Sequence, residues 1–389
     1  MSEEVVLFEE VNCLTDKKIA VATLNSPRSL NALSGDMIDL LMPKLLEWRD
    51  NDDIVMIFLQ GSGDKAFCAG GDIVHMYNAM TESAMKENTT TANSDAKDKS
   101  VPALEQYFTK EYQLDYLIHT FNKPFLVWGQ GIVMGGGLGL MVGASHRVVT
   151  ESSRIAMPEI SIGLYPDVGG SYFLNRMPEN CGLFLGLTGA SINAADAKYT
   201  KMADFFLLNE HKQQLLTALS EVKWGDTIAL NHDKLSDVLQ SFEQDVKASL
   251  PNSQLKQHQS LINQVIQQPD LVAIVDAIIS VDIEDKWFNK AQKSLAHGSP
   301  MSAHLVYQQL QQAQSMTLAE CFKLELGLSV KSGQFGEFCE GVRALLIDKD
   351  NQPNWHFSNV EEVDAKTLAW FFETPWQAES HPLAELEQV

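Results

Sequence analysis

The stretch Met157-Pro-Glu-Ile-Ser-Ile-Gly-Leu-Tyr-Pro-Asp-Val-Gly-Gly170 sets two carboxylates, Glu159 and Asp167, in a run that is otherwise mostly apolar or glycine. A carboxylate in such surroundings is costly to keep charged unless it is hydrogen-bonded, so its presence points to chemistry. Asp167 also has a structural reading, as the N-cap of a helix that opens near Val168 and runs into Tyr172-Phe173-Leu174. Glu159 follows a proline and offers no spacing for a helix-face ion pair, which leaves the functional reading the better of the two.

Two glycine loops lie upstream, Ala69-Gly70-Gly71-Asp72 and Gly135-Gly136-Gly137. Glycine lets a backbone approach a ligand closely, and each loop opens an expected helix whose first N–H groups lack internal partners. Two such amides converging on one carbonyl oxygen make an oxyanion hole. A phosphate cradle competes with that reading, but neither G-x-x-x-x-G-K-[S/T] nor a clean G-x-G-x-x-G after a strand is present. Close helix packing is the structural alternative for either loop alone.

The order around these loops is that of an α/β protein. Val5 to Phe8 and Ile19 to Leu24 read as a hairpin, and Ser34 caps an amphipathic helix from about Gly35 to Arg49. Ile54 to Leu59 and Phe125 to Trp128 are continuous apolar runs of strand length, as expected for strands covered on both faces. A helix is expected over Pro102 to Thr120, and a short strand begins at Val148 and Val149. Residues Thr81 to Ser100 carry few large apolar side chains, so a mobile excursion or lid is expected there. Beyond Phe205 the pattern turns to longer helical stretches, for example Leu255 to Gln268 and Ala303 to Gln314. The sequence therefore divides into residues 1–205, a catalytic core, and residues 206–389, a mostly helical C-terminal region.

With 389 residues and a hydrophobic content of 45%, the chain can build a substantial core. A formal net charge of −22 argues against nucleic acid or an anionic membrane as partner, since an acidic surface repels both. The uncharged segment Pro124 to Ser145 is long enough to span a bilayer, but its seven glycines and Gln130 suit a strand, a turn and a buried helix better. Cys13, Cys68, Cys181, Cys321 and Cys339 are scattered, with neither C-x-x-C nor a metal-type cluster, and read as reduced thiols. Cys68 has no base beside it in sequence and reads as a packed core residue. With an acidic N-terminus unlike a secretory signal, these thiols suggest a cytoplasmic protein.

Three motifs taken together, Lys65-Ala-Phe-Cys-Ala-Gly-Gly-Asp-Ile73, Gly131-Ile-Val-Met-Gly-Gly-Gly-Leu-Gly139 and Met157-Pro-Glu to Pro166-Asp-Val-Gly-Gly170, resemble the crotonase (enoyl-CoA hydratase/isomerase) superfamily. A fourth, Phe335-Gly-Glu-Phe-Cys-Glu-Gly-Val-Arg-Ala-Leu-Leu-Ile-Asp-Lys-Asp350 followed by Pro353-Asn-Trp355, is similar to its acyl-CoA hydrolase branch. The resemblance implies a crotonase-like spiral of ββα units with a C-terminal helical region. It also implies an oxyanion hole from the N–H groups of Gly71 and Gly136. A CoA-binding loop would run through Arg28 to Ala32 and through Ala66, Ala69 and Asp72, with Arg28 and Lys65 offsetting the acidic surface near the CoA phosphates.

Hydratases of this superfamily carry two catalytic glutamates, and here the first position is Gly139 while the second, Glu159, remains. Asp167 stands where typical hydratases have glycine, as in the hydrolase branch, and Glu111 matches a glutamate that lines the acyl pocket there. A solvated helix carboxylate is the alternative for Glu111. The implied activity is hydrolysis of a short branched 3-hydroxyacyl-CoA thioester, most closely 3-hydroxyisobutyryl-CoA, in valine degradation. No metal or cofactor is implied beyond the CoA of the substrate. An enoyl-CoA hydratase or isomerase is one alternative, and a noncatalytic acyl-CoA-binding protein is another. Relatives in the superfamily form trimers or hexamers, so a homo-oligomer is compatible with the resemblance.

Overall fold

A computed structural model describes residues 4–88 and 101–388 of the chain. Its strands are β1 (Val6–Asn12), β2 (Lys18–Leu24), β3 (Ile54–Gly61), β4 (Ala66–Cys68), β5 (Phe125–Gly129), β6 (Ile132–Met134), β7 (His146–Thr150), β8 (Arg154–Ala156) and β9 (Phe205–Leu207). Among the described residues they form a six-stranded sheet in the order β1-β2-β3-β5-β7-β9 and a three-stranded sheet in the order β4-β6-β8. After the β1–β2 hairpin, β3 to β9 alternate between the large sheet and the small one. This is the crotonase-like α/β architecture expected.

β1 and β2 pair antiparallel as the hairpin expected, from Val6↔Leu24 to Asn12↔Lys18. From β2 onward the large sheet is parallel. Its central strands are buried almost throughout, which is why β3 and β5 read as unbroken apolar runs instead of alternating ones. Helix α1 (Gly35–Asp50) begins at the Ser34 cap, whose side chain accepts the Met37 N–H at 3.2 Å.

The chain packs as two compact units, each drawn from several segments. The first comprises Met1–Gly71, Leu114–Ile155 and Ile192–Gln257. Its core joins Phe58, Trp128 and Val148 of the large sheet to Leu215, Leu219, Leu235 and Leu239. Those leucines come from helices Lys212–Ser220 and Ile228–Val246. Pro124 to Ser145 folds as β5, β6 and the short helix α4 (Gly136–Val142), and among the described residues no helix is long and apolar enough to cross a membrane.

The second unit comprises Asp72–Gln113, Ala156–Ser191 and His258–Val389. It is mainly helical, with Lys286–His297, Pro300–Gln312 and Leu318–Phe335 prominent. The last of these is buried along most of its length and starts from a Thr317/Glu320 capping box. Its Gly333 faces Leu104, and a Cβ there would come within 2.3 Å of Leu104 Cδ2.

Two expectations need revision. Helix α2 (Ile73–Asn88) carries regular structure into the stretch expected to be a lid, and residues 89–100 lie outside the described residues. The helix after the Pro-Asp motif is α5 (Gly170–Leu174), with Gly169 as its N-cap and no side-chain cap bond. Asp167 therefore does not cap it. Val168 and Gly169 both take positive φ, +50° and +86°, so the chain turns twice before the helix starts.

Candidate active site

In the second unit the two carboxylates of the opening stretch are joined by a third. Glu111 lies on α3 (Pro102–His119), which matches the expected helix, and its side chain is buried with only 2% exposure. That removes the solvated-helix alternative. Glu159 opens a 3₁₀ turn (Glu159–Ile162) that ends at Gly163 in the left-handed region. The turn is held where it is by backbone contact: a Cβ on Gly341 would meet Ile162 C at 2.3 Å, and one on Gly163 would meet Glu337 O at 2.4 Å. Glu159, Asp167 and Glu111 are all buried.

Asp167 Oδ2 accepts a hydrogen bond from the Tyr112 hydroxyl at 2.7 Å. Ser329 Oγ lies 2.8 Å from Tyr112 OH and 2.7 Å from Tyr165 OH, and Tyr165 donates to the Glu325 carbonyl. Glu159 Oε2, by contrast, is buried with no hydrogen-bond partner. A buried carboxylate oxygen left open in this way is costly as pure structure and suited to a water or a reacting group.

The electrostatics follow from burial. Removal from water, then the nearby Asp167 charge, pushes the Glu159 carboxyl well above its usual range, with Glu111 adding to the push. Burial and Asp167 likewise raise Glu111, against a hydrogen bond from Tyr107. Asp167 rises to about 6 by burial, resisted first by the Tyr112 hydrogen bond. Asp167 is thus the member of the cluster best supported as an anion at neutral pH, and it disfavours charge on the other two.

In the first unit the two glycine loops follow adjacent parallel strands. β4 and β6 pair through Ala66↔Ile132 and Cys68↔Val133, so the segments after them run side by side. Gly70 has φ +114°, a conformation that suits glycine alone, and a Cβ on Gly137 would lie 2.2 Å from Cys68 O. Backbone conformation at Gly70 and close packing at Gly137 therefore account for glycine at these two positions. Gly136 is the first residue of α4, where an N–H has no acceptor within the helix. Gly71 bridges Leu33, and the ladder bond there runs from Leu33 N–H to Gly70 O at 2.7 Å. Cys68 is buried, as expected of a packed core residue.

Arg28, Asn31, Lys65 and Ala66 line an open cleft of about 460 Å³ in the same unit. Asn31 ties its walls together, its Nδ2 donating to Ser62 O at 3.0 Å and Ala66 O at 3.1 Å. Ala69 N–H donates to Leu30 O and Ala32 N–H to Ser29 O, each at 3.1 Å. The two segments expected to form a CoA loop thus meet beside one cleft whose charged lining is Arg28, Lys65 and Asp64. Asp72, in the second unit, accepts the His75 N–H on Oδ1 at 3.0 Å and so caps the start of α2.

Sequence reading did not single out Tyr112, Tyr165, Ser329 or Glu325 as site residues. The one signal for Tyr112 was a hydroxyl on a helix face otherwise fit for burial, since a buried Tyr O–H usually finds a partner. Ser329 and Glu325 sit in a helix buried on all sides from Glu325 to Gly333, and nothing in their local sequence distinguishes them.

A family model described as enoyl-CoA hydratase/isomerase matches residues 19–372. The chain belongs to the enoyl-CoA hydratase/isomerase family. Within it, the chain is 32% identical to 3-hydroxyisobutyryl-CoA hydrolase, mitochondrial, of Dictyostelium discoideum, over 95% of this chain and 92% of the relative. It is also 34% identical to the small ribosomal subunit protein mS47 of Neurospora crassa, over 87% of this chain and 66% of that protein. Among solved structures, an enoyl-CoA hydratase from Rhodobacter sphaeroides matches with a TM-score of 0.78 and 28% identity, covering 95% of this chain and 98% of that one.

These relatives correct one expectation, that of a cytoplasmic location. Curated hydrolase relatives from Dictyostelium, zebrafish and human all carry the word mitochondrial in their names. Scattered reduced thiols report the redox state of a compartment and not its identity, so they could not have separated the two.

Proposed function

We propose that this member of the enoyl-CoA hydratase/isomerase family hydrolyses a short branched 3-hydroxyacyl-CoA, most closely 3-hydroxyisobutyryl-CoA, to the free acid and CoA, a step of valine degradation. The observation that carries the proposal is the buried trio Glu111, Glu159 and Asp167, with Glu159 Oε2 unpartnered and Gly139 where a hydratase has its other glutamate. Hydration needs one group to activate water and another to deliver a proton. The names of the hydrolase relatives support the same reading.

In this reading the N–H groups of Gly71 and Gly136 bind the thioester oxygen. Each such donor contributes about 3 to 4 kcal/mol to stabilising the oxyanion. Arg28 and Lys65 receive the CoA phosphates, and Ala32, Ala66 and Ala69 belong to the CoA loop. Ionised Glu159, made more basic by its raised pKa, either attacks the thioester carbon with its own oxygen and expels the CoA thiolate to give an acyl anhydride, or takes a proton from the water that attacks. Both routes use the open Oε2. Label found in the Glu159 carboxylate after a single turnover in heavy-oxygen water identifies the anhydride route, with water attacking the glutamyl carbon. Asp167, held by Tyr112, orients water or the substrate hydroxyl, and Glu111 assists in recognising that hydroxyl.

The ribosomal relative favours a second reading from another class, an acyl-CoA-binding or assembly protein without turnover. The test is thiol release from 3-hydroxyisobutyryl-CoA. Multiple turnovers support the hydrolase, and stoichiometric binding without product supports the second reading.

A further inference from the structure

Asp167 sits in a backbone that the chain does not adopt readily. Val168 has φ +50°, in the left-handed region that a β-branched residue strongly disfavours, and Gly169 follows at +86°. What faces this turn is a carboxylate from a helix more than 150 residues further along the chain. Glu325, fully buried on Leu318–Phe335, accepts the Gly169 N–H on Oε2 at 2.8 Å and the Ser171 N–H on Oε1 at 2.9 Å. The Ser171 hydroxyl donates to the same Oε1. The Tyr165 hydroxyl donates to the Glu325 carbonyl, and Gln309 Nε2 donates to Pro166 O at 2.9 Å, so the turn is anchored on both flanks.

We infer that Glu325 is a positioning residue for thioester hydrolysis: its carboxylate grips the amides of Gly169 and Ser171, holds Val168 in its strained conformation and thereby fixes where Asp167 is presented. The inference rests on the hydrolase reading for its kinetic consequence and on geometry alone for the clamp. Three donors converge on the two carboxyl oxygens, a nest-like arrangement in which backbone N–H groups gather a buried acid supplied by the protein itself. Burial raises the Glu325 carboxyl to about 8 while the three donors resist that shift, as expected of an acid retained in the interior for its hydrogen bonds.

Glu325→Gln is the deciding variant, because one of its two terminal atoms becomes an N–H donor facing an N–H donor. Thiol release should show kcat down by at least about tenfold with KM within about twofold, since misplacing a catalytic group slows chemistry more than binding. Loss of kcat should shrink by at least about threefold when Glu325→Gln is made in a Val168→Gly background, where glycine adopts the turn without strain. Amide hydrogen exchange without substrate should speed up at Gly169 and Ser171 in the variant. Should Glu325→Gln fail to fold, Ser171→Ala, which keeps both amide bonds, should lower kcat in the same direction by less. A rise in KM at unchanged kcat, equal losses in both backgrounds, or unchanged exchange at Gly169 and Ser171 overturns the inference. A wild-type chain that releases no thiol overturns the hydrolase reading instead, and the exchange measurement still decides the clamp.

Discussion

The Tyr112 hydroxyl donates to Asp167 Oδ2 at 2.7 Å, and both groups are buried. A hydrogen bond to a charged group in such a place contributes about 1.5 to 3 kcal/mol. Tyr112→Phe should therefore lower kcat by about tenfold to a hundredfold, with steady-state thiol release as the measurement. The ring should stay in place, since it packs against Phe108 and Phe322 at centroid distances of 5.7 and 5.6 Å. An unchanged kcat would mean that the orientation of Asp167 does not matter to turnover.

Glu159→Gln keeps the shape of the turn and removes the ionisable oxygen. Thiol release should fall by at least about a thousandfold, the scale of losing a nucleophile or general base. Binding of CoA, followed by calorimetry, should change little. Near-normal turnover in this variant would remove Glu159 from the mechanism.

The buried carboxylates give the fold a definite pH dependence. Burial raises Asp167 from 3.8 to about 6 in the folded state. The folded protein thus keeps this proton longer than the unfolded chain, and the stability it contributes below its unfolded value is lost as pH rises through about 6. Glu111 and Glu159, also raised, act in the same direction. Asp167→Asn is neutral at every pH, so its melting temperature should exceed that of the wild type at about pH 8, with the gap closing toward about pH 4. A gap that widens on acidification contradicts the assignment. The same variant should be slow in thiol release.

Gly137 separates packing from chemistry in the glycine loops. A Cβ there would stand 2.2 Å from Cys68 O, a backbone atom that cannot swing aside. Gly137→Ala should cost about 1 to 3 kcal/mol of stability, read from chemical denaturation, as overpacking does. Full stability would show that α4 can move away from Cys68 of β4 at no cost.

Much of this molecule was legible because the informative residues are local in sequence. Unbroken apolar runs marked the covered strands, Ser34 marked a helix start, and Glu159 and Asp167 stood out against the residues around them. The supports of the site were not legible, because they act across the chain. Ser329 lies 217 residues from Tyr112 and Glu325 lies 156 from Gly169, both on one helix whose sequence pattern says nothing of these partners. Asp167 looked like a helix cap because the preference for Asp at that position is real. A valine in the left-handed region, which moves the helix start to Gly170, has no local signature.

The most direct test is thiol release from 3-hydroxyisobutyryl-CoA by the whole chain, with hydration of crotonyl-CoA followed in parallel. Repeated release of CoA without hydration is the predicted result and would make Glu159 and Asp167 the working groups of a thioester hydrolase. Hydration without release of CoA would contradict the account, and with it the significance given to Asp167 and to glycine at position 139.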